Sequence, residues 1–571
     1  MRKLLATCLL ATLAVMAAGP AFAQTYGTVQ FIGTGNASWN DANNWVETLS
    51  GSYLPDPNIL QQALGTNRVP GLNGAAMIRN GASVTLDGGI TTGCQPMQVG
   101  GPNVYDPNYP SPDPNFKYLS MPASTLTIKD AGTILIVDPN GSGTTGSNIG
   151  VGGFYNGTLN MQGGSVNTLW LRIGEGPGAT GIFNASGGTT SIRYRWNVGY
   201  ASGYSGSDGQ VRETRGGYGE VNISGNAYIQ QDGQLYVGQA RTNITMIDPN
   251  GFEYAGGSVS LPSKFNMSGG VYVGTGNVTI GTNNLLTVPF PWDPNSPYVA
   301  AQGTMTITGG SFATAGEIRP GYTGGNGTLE VLGGSVVVGN RVRMGFRTYE
   351  PGSSTLRMGG TGVLWIDGYG LQTYEPNTVN GGLSTPRYIF DIDRSAADPN
   401  TLCTGFISST IIDLGATDEL YVNALERPKE GDRFLLMEAR SSTTGGFDDQ
   451  ITMLSNISDG LDPNYSTAFA YAWDDPDNIG PDKFRITFHG FTGGDANGDH
   501  KVLGEDLAVL ESNWGQSGMA WSDGDFTGDE IVNQSDLDIL NANWGWEIPE
   551  PATLSLLGLG GLAVIRRRRL G

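Results

Sequence analysis

One pattern recurs at a fixed distance and limits what the chain can fold into. Gly157-Thr-Leu-Asn-Met-Gln-Gly163-Gly164-Ser returns 24 residues later as Gly181-Ile-Phe-Asn-Ala-Ser-Gly187-Gly188-Thr. Gly303-Thr-Met-Thr-Ile-Thr-Gly309-Gly310-Ser returns, again after 24, as Gly327-Thr-Leu-Glu-Val-Leu-Gly333-Gly334-Ser. Weaker copies begin at Gly219, Phe265 and Ser354. Apolar residues alternate within each copy, as Leu159 with Met161 and Leu329 with Val331. Alternation punctuated by paired glycines reads as strand and turn. About 24 residues is the length of one coil of three short strands and three turns. Stacked coils share one core and pair their backbones with the coils above and below, and glycine permits the tight corners. Residues 120–370 are therefore expected to form a mainly β fold, a right-handed-type parallel β-solenoid (β-helix). A string of antiparallel sandwiches is the alternative. The strict period argues against it, although insertions near 201–218 and 241–262 interrupt the register.

The repeats resemble the autotransporter-type β-strand repeats of surface proteins. On either side the Gly-Gly period fades. Residues 24–119 read as an N-terminal β cap, in which Trp39 and Trp45 would close or pack the first coil, with sugar stacking as their other use. Residues 371–490 hold denser strands, at 387–392 and 432–438, and read as a β-sandwich-like or capping domain. Asp-Pro-Asn occurs eight times, from Asp56 to Asp462. Its proline fixes φ and its Asx side chains bond the local backbone, so these are turn builders.

A second repeat, of another kind, fills residues 491–546. Asp495-Ala-Asn497-Gly-Asp499-His-Lys501-Val-Leu-Gly-Glu-Asp506 returns 30 residues on as Asp525-Phe-Thr527-Gly-Asp529-Glu-Ile531-Val-Asn533-Gln-Ser-Asp536. The apolar positions travel with it: Val502 with Val532, Leu507 with Leu537, Leu510 with Leu540. Oxygen side chains at loop positions 1, 3, 5 and 12, with a carbonyl at 7, are how a twelve-residue loop wraps Ca²⁺. Each loop enters a short helix, where Leu507, Leu510 and Trp514, like Leu537, Leu540 and Trp544, give one apolar stripe. Gly515 and Gly545 sit where a left-handed C-terminal cap is expected. Two such helices bury little alone, so bound calcium would hold the unit together.

This unit resembles a type I dockerin module, a small α-helical pair of EF-hand-like loops. The resemblance implies two Ca²⁺ sites. The first would use Asp495, Asn497, Asp499, the carbonyl of Lys501 and Asp506. The second would use Asp525, Thr527, Asp529, the carbonyl of Ile531 and Asp536. It also implies a cohesin-like partner, read by Gly504, Glu505, Gln534 and Ser535. Position six departs from the pattern. Glycine is usual there, and this chain has His500 and Glu530; a glutamate at positive φ is strained.

The ends indicate destination. Met1-Arg2-Lys3, an apolar run over 4–18 and Ala21-Phe22-Ala23 before Gln24 make a secretory signal peptide over 1–23, cut between Ala23 and Gln24. The other end reads Pro549-Glu550-Pro551, an apolar run over 554–565, then Arg566 to Arg569. That run is about 18 Å as a helix, short of a ~30 Å hydrocarbon core, and its arginines would stay cytoplasmic. Residues 548–571 resemble a PEP-CTERM sorting signal. The resemblance implies transient membrane insertion, cleavage near Pro549-Glu550-Pro551 by a sorting protease (an exosortase), and release or attachment of the body at the bacterial surface. An ordinary tail anchor is the alternative. Either places residues 24–547 outside the cytoplasm.

Formal net charge is −21, and about −27 once the six cations Arg2, Lys3 and Arg566 to Arg569 are removed. Such a body argues against nucleic acid as partner and suits divalent cations. Cys94 and Cys403 either pair, as an oxidising compartment permits, or stay as buried thiols. Catalytic signals are sparse. Only His489 and His500 exist, and neither has a nucleophile at a recognised spacing. Glycoside hydrolysis needs two carboxylates, and Asp391, Asp393, Asp448 and Asp449 stand out no more than others. Arg193 with Arg195, or Arg341 with Arg343, would line a basic cleft for an acidic glycan or simply face solvent. The expected function is a non-enzymatic surface or matrix protein that displays through its solenoid and docks through its dockerin. The alternative is a carbohydrate-active enzyme, a polysaccharide hydrolase or lyase, tethered by that module.

Overall fold

A computed structural model describes the chain from Thr28 to Gly545 with breaks, the longest at 49–75, 101–122, 284–300, 374–385, 393–404, 441–451 and 455–468. Its strands stack in three parallel columns. In the first, Ser124–Ile128, Gly157–Met161, Thr180–Ala185 and Tyr218–Ile223 pair in succession. It continues through the leading halves of Ser263–Gly274, Gln302–Thr314 and Asn326–Val338 to Ser353–Met358, Pro386–Ile392 and Glu419–Ala424. The trailing halves of those long strands belong to the second column, followed by Val363–Ile366 and Phe406–Ser409. The third runs from Asn148–Val151 through residues 170–173, 195–198 and 234–237 to Val278–Asn283, Ile318–Pro320, Arg341–Met344 and Gly370–Thr373. Equivalent repeat positions meet: Gly157 pairs with Gly181 and Gly303 with Gly327. This is the strand arrangement of a parallel β-solenoid, and one period of 24 is one coil.

The inward rows explain the alternation. Leu159, Phe183, Val221, Phe265, Met305 and Leu329 stack in register, each fully buried. The rings of Tyr272 and Phe312 lie parallel with centroids 4.2 Å apart, close to the spacing of neighbouring strands. The fourth position of the repeat faces outward and builds a ladder. Asn184 donates from Nδ2 to Oδ1 of Asn160, Asn222 to Asn184, and Asn266 to Asn222, each at 2.9 Å.

The paired glycines turn the chain between the first and second columns. Gly310 and Gly334 have φ of 81° and 69°. A Cβ on Gly310 would stand 2.6 Å from the carbonyl oxygen of Gly270, and one on Gly334 2.5 Å from that of Gly310. Glycine is required twice over: for a left-handed backbone and because each corner rests on the corner of the previous coil.

Neither insertion breaks the ladder. Within 201–218, Tyr204–Ser205 pairs antiparallel with Val211–Glu213; further on, Gln234–Ile247 outruns its column and pairs antiparallel with Glu253–Val259. Parallel pairing also runs into the stretches where the period fades. Ser83–Leu86 and Met97–Val99 pair forward with the following coil, and Glu419–Ala424 pairs with Thr452–Leu454. Both ends turn antiparallel. Thr28–Phe31 pairs parallel with Ala76–Ile78 but antiparallel with Trp45–Thr48. At the far end Asp482–Phe488 lies antiparallel between Arg433–Ala439 and Phe469–Asp474. Trp39 and Trp45 are fully buried, with ring centroids 4.7 Å apart and the Trp45 indole donating to the Trp39 carbonyl. They are core residues, which removes the sugar-stacking use. Cys94 is buried, and burial pushes its thiol well above the ordinary range; Cys403 lies outside the described residues.

Candidate functional site

The second repeat forms two loop–helix units. Their helices, Gly504–Ser512 and Gln534–Ala542, start at equivalent positions. Asp536 accepts from the N–H of Asn533, and the Asn533 side chain accepts from the N–H of Ser535, each at 2.8 Å. These reciprocal bonds satisfy amides that a helix start leaves unpaired. Asp506 accepts likewise from the Leu503 N–H at 2.9 Å, and its other oxygen takes the N–H groups of Ala496 and Asn497. The described ends of the first loop thus meet on one carboxylate.

Asp506 and Asp536 are fully buried, and Asp495 and Asp525 nearly so. Asp506 is bonded to three backbone N–H groups and, among the described residues, to no cationic side chain. A carboxylate has about four acceptor positions, and a buried one is costly unless its charge is compensated. The all-oxygen donor set suits a hard cation such as Ca²⁺, so these residues fit the expected ion. Lys501 and Ile531 occupy matching loop positions, and Asn497 is exposed. Asp499, Thr527 and Asp529 lie outside the described residues, as do His500 and Glu530. Among the described residues no three of His, Cys, Asp and Glu gather as a metal group.

The two units brace each other. Gly545 donates to the Val502 carbonyl at 2.9 Å and Gly515 to that of Val532 at 2.8 Å. A Cβ on Gly494 would meet Leu540 Cα at 2.7 Å, and one on Gly524 would meet Leu510 Cα at 2.8 Å. Val502, Leu510, Phe526, Val532 and Leu540 form a small core. Gly515 and Gly545 have φ of 76° and 80°, as a left-handed cap requires. The tryptophans correct the predicted stripe. Trp514 and Trp544 are 46% and 50% exposed, because the helices stop at Ser512 and Ala542 and both residues fall in the turn beyond. Gly504, Glu505, Gln534 and Ser535 are all exposed on the first turns.

The other sequence candidates scatter. Asp391 is buried and tied to Arg357 by two bonds (2.9 and 3.2 Å) and to the Asn423 amide. That is a structural pairing. Asp393, Asp448, Asp449, His489 and the second cysteine lie outside the described residues. Arg193 sits exposed between the second and third columns, whereas Arg195, Arg341 and Arg343 all belong to the third.

Residues 547–569 match a family profile described as the PEP-CTERM protein-sorting motif. The chain carries a PEP-CTERM signal. That signal implies an exported, surface-sorted protein and recognition by an exosortase-like sorting protease. Pro549, Glu550 and Pro551 fall within the match but outside the described residues, as do Ala23 and Gln24. Among the described residues no helix is long and apolar enough to cross a membrane. No curated protein and no solved structure matches the chain.

Proposed function

We propose that this chain is a non-enzymatic display or structural protein of the cell envelope that docks through a calcium-dependent, dockerin-like module to a cohesin-like domain. The observation that carries the reading is the burial of Asp506 and Asp536 in two loop–helix units that exchange backbone bonds. In this reading Asp495, Asn497, Asp499, the Lys501 carbonyl and Asp506 hold one ion. Asp525, Thr527, Asp529, the Ile531 carbonyl and Asp536 hold the other. Bound calcium supplies the positive charge those buried carboxylates call for. The exposed Gly504, Glu505, Gln534 and Ser535 meet the partner. The solenoid spaces and displays, and the PEP-CTERM signal delivers the chain to the surface. A tethered polysaccharide hydrolase or lyase is the competing reading.

The module's core is separate from that of the solenoid, so a fragment of residues 491–547 can be titrated alone. A gain of helix by far-UV circular dichroism at micromolar to submillimolar calcium is expected. A fragment that stays unfolded in excess calcium would refute the docking module and leave function to the solenoid.

A further inference from the structure

The third column carries a set of side chains at odds with the charge of the rest of the chain. Arg172, Asn197, Tyr236, Thr279 and Arg319 follow one another in register, and Arg343 continues the row through the pairing of Ile318 with Val342. Five strand spacings of about 4.8 Å put Arg343 about 24 Å from Arg172. Two residues earlier in each strand runs a parallel row that includes Trp170, Arg195, Glu317 and Arg341. Their strand neighbours point into the core, so these side chains stand on the outer side of the column; Asn197, Thr279 and Glu317 are buried there, whereas Trp170, Tyr236 and the five arginines are partly exposed.

Among the described residues, the ion pairs of the arginines on this face run to two carboxylates. Arg172 pairs with Glu175, and Arg319, Arg341 and Arg343 all converge on Glu317, at 2.7, 2.8 and 3.3 Å. Arg195 has no acid partner among the described residues. Its guanidinium stands 5.2 Å from the Trp170 ring and 5.3 Å from the Tyr236 ring. The Nε of Arg172 is buried with no hydrogen-bond partner among the described residues. Tyr322 lies against Arg319 and Tyr369 against Arg341. The result is a strip of guanidinium forks alternating with aromatic faces, with a surplus of positive charge among the described residues.

We infer that this column binds a linear acidic polysaccharide bearing carboxylates on its sugars, laid along the stacking direction of the coils. A guanidinium matches a carboxylate with two parallel bonds, and the neighbouring rings offer flat apolar surface to sugar rings. A surplus of three charges over about 24 Å is sparse for nucleic acid, whose single strands carry a phosphate every ~3.4 Å. The acidic body also repels such a polyanion at long range. A uronate polymer spreads one charge per ring among hydroxyls. This binding is independent of the docking module.

The test is affinity electrophoresis of the mature chain, residues 24–547, through gels holding polygalacturonate, dextran or single-stranded DNA. EDTA is included so that calcium bridges neither the glycan nor the C-terminal loops. Retardation by polygalacturonate, none by dextran and less by DNA is expected. Arg195→Ala should weaken binding about tenfold, whereas Arg387→Ala, on the first column, should leave it unchanged. Removing Arg195 orphans no carboxylate. Should Arg195→Ala nonetheless misfold by circular dichroism, Arg195→Lys, which keeps the charge but loses the fork, must still weaken binding several-fold. Equal mobility in polygalacturonate and dextran, retardation by DNA as strong as by polygalacturonate, or an Arg195 variant that folds and binds like the parent overturns the inference.

Discussion

Adding one methyl group at a coil corner tests why the glycines pair. Gly310 and Gly88 have similar backbones, with φ of 81° and 76°. An alanine at either position must adopt a left-handed conformation, at about 1–2 kcal/mol. Their surroundings differ. A Cβ at Gly88 meets nothing within 4 Å, whereas one at Gly310 lies 2.6 Å from the Gly270 carbonyl oxygen and 2.7 Å from the Gly269 carbonyl carbon. Those atoms are backbone held in the preceding coil, so the coils must part. Overpacking of this kind adds about 1–3 kcal/mol. Gly88→Ala is therefore expected to cost about 1–2 kcal/mol and Gly310→Ala about 2–5 kcal/mol. Denaturant unfolding by far-UV circular dichroism gives the totals. Stacked repeats need not unfold in one step, so amide exchange supplies the local reading. The Ala315 and Gly339 amides bond to the Gly274 and Thr314 carbonyls on either side of this coil and should exchange faster in Gly310→Ala alone. Equal costs for the two variants would refute the stacked-corner explanation of the repeat.

Two further outcomes follow from side-chain networks. Burial pushes the Glu317 carboxyl up, but hydrogen bonds from Arg319 and Arg341 and the charges of Arg319 and Arg343 more than offset this and hold it below the usual range. A lowered folded pKa stabilises above the unfolded value of about 4.3, and that stability is lost as pH falls through the folded pKa. Glu317→Gln should melt below the parent at pH 7 and converge with it in acid; a gap constant down to the acid limit of folding refutes this. Within the asparagine ladder, Asn184 bonds both neighbours while Asn266 bonds one. At about 0.5–1.5 kcal/mol per bond, Asn184→Ala should cost about twice what Asn266→Ala does in urea unfolding, and equal costs would show that the ladder adds nothing.

The solenoid was legible because its corners are written in glycine, and Gly163-Gly164 and Gly333-Gly334 mark positions where a Cβ would stand within 3 Å of neighbouring backbone. Its extent was less so. Tyr388, Phe390 and Ile392 keep the inward alternation, but alternation alone suits any half-buried sheet, and without paired glycines the coil period is invisible. The insertions read as interruptions because a hairpin at a corner changes sequence spacing without changing register. Arg195, Arg341 and Arg343 were legible as basic candidates, but their alignment with Arg172 and Arg319 was not, because these residues are irregularly spaced in sequence and become neighbours only through the ladder. In the C-terminal units the helices and their glycine caps were legible. The exposure of Trp514 was not, since a helical spacing was carried past the helix end.

At each terminus of the parallel ladder one of the three columns is closed by strands running the other way, Trp45–Thr48 at the start and Asp482–Phe488 with Phe469–Asp474 at the finish. A solenoid cut cleanly between coils would show, at each cut, the same template it uses internally, and copies could add end to end without limit. Reversing strand direction in one column at each end keeps the full three-column cross-section from repeating the internal register there. End-to-end growth of copies at high local concentration on a cell surface is thereby disfavoured.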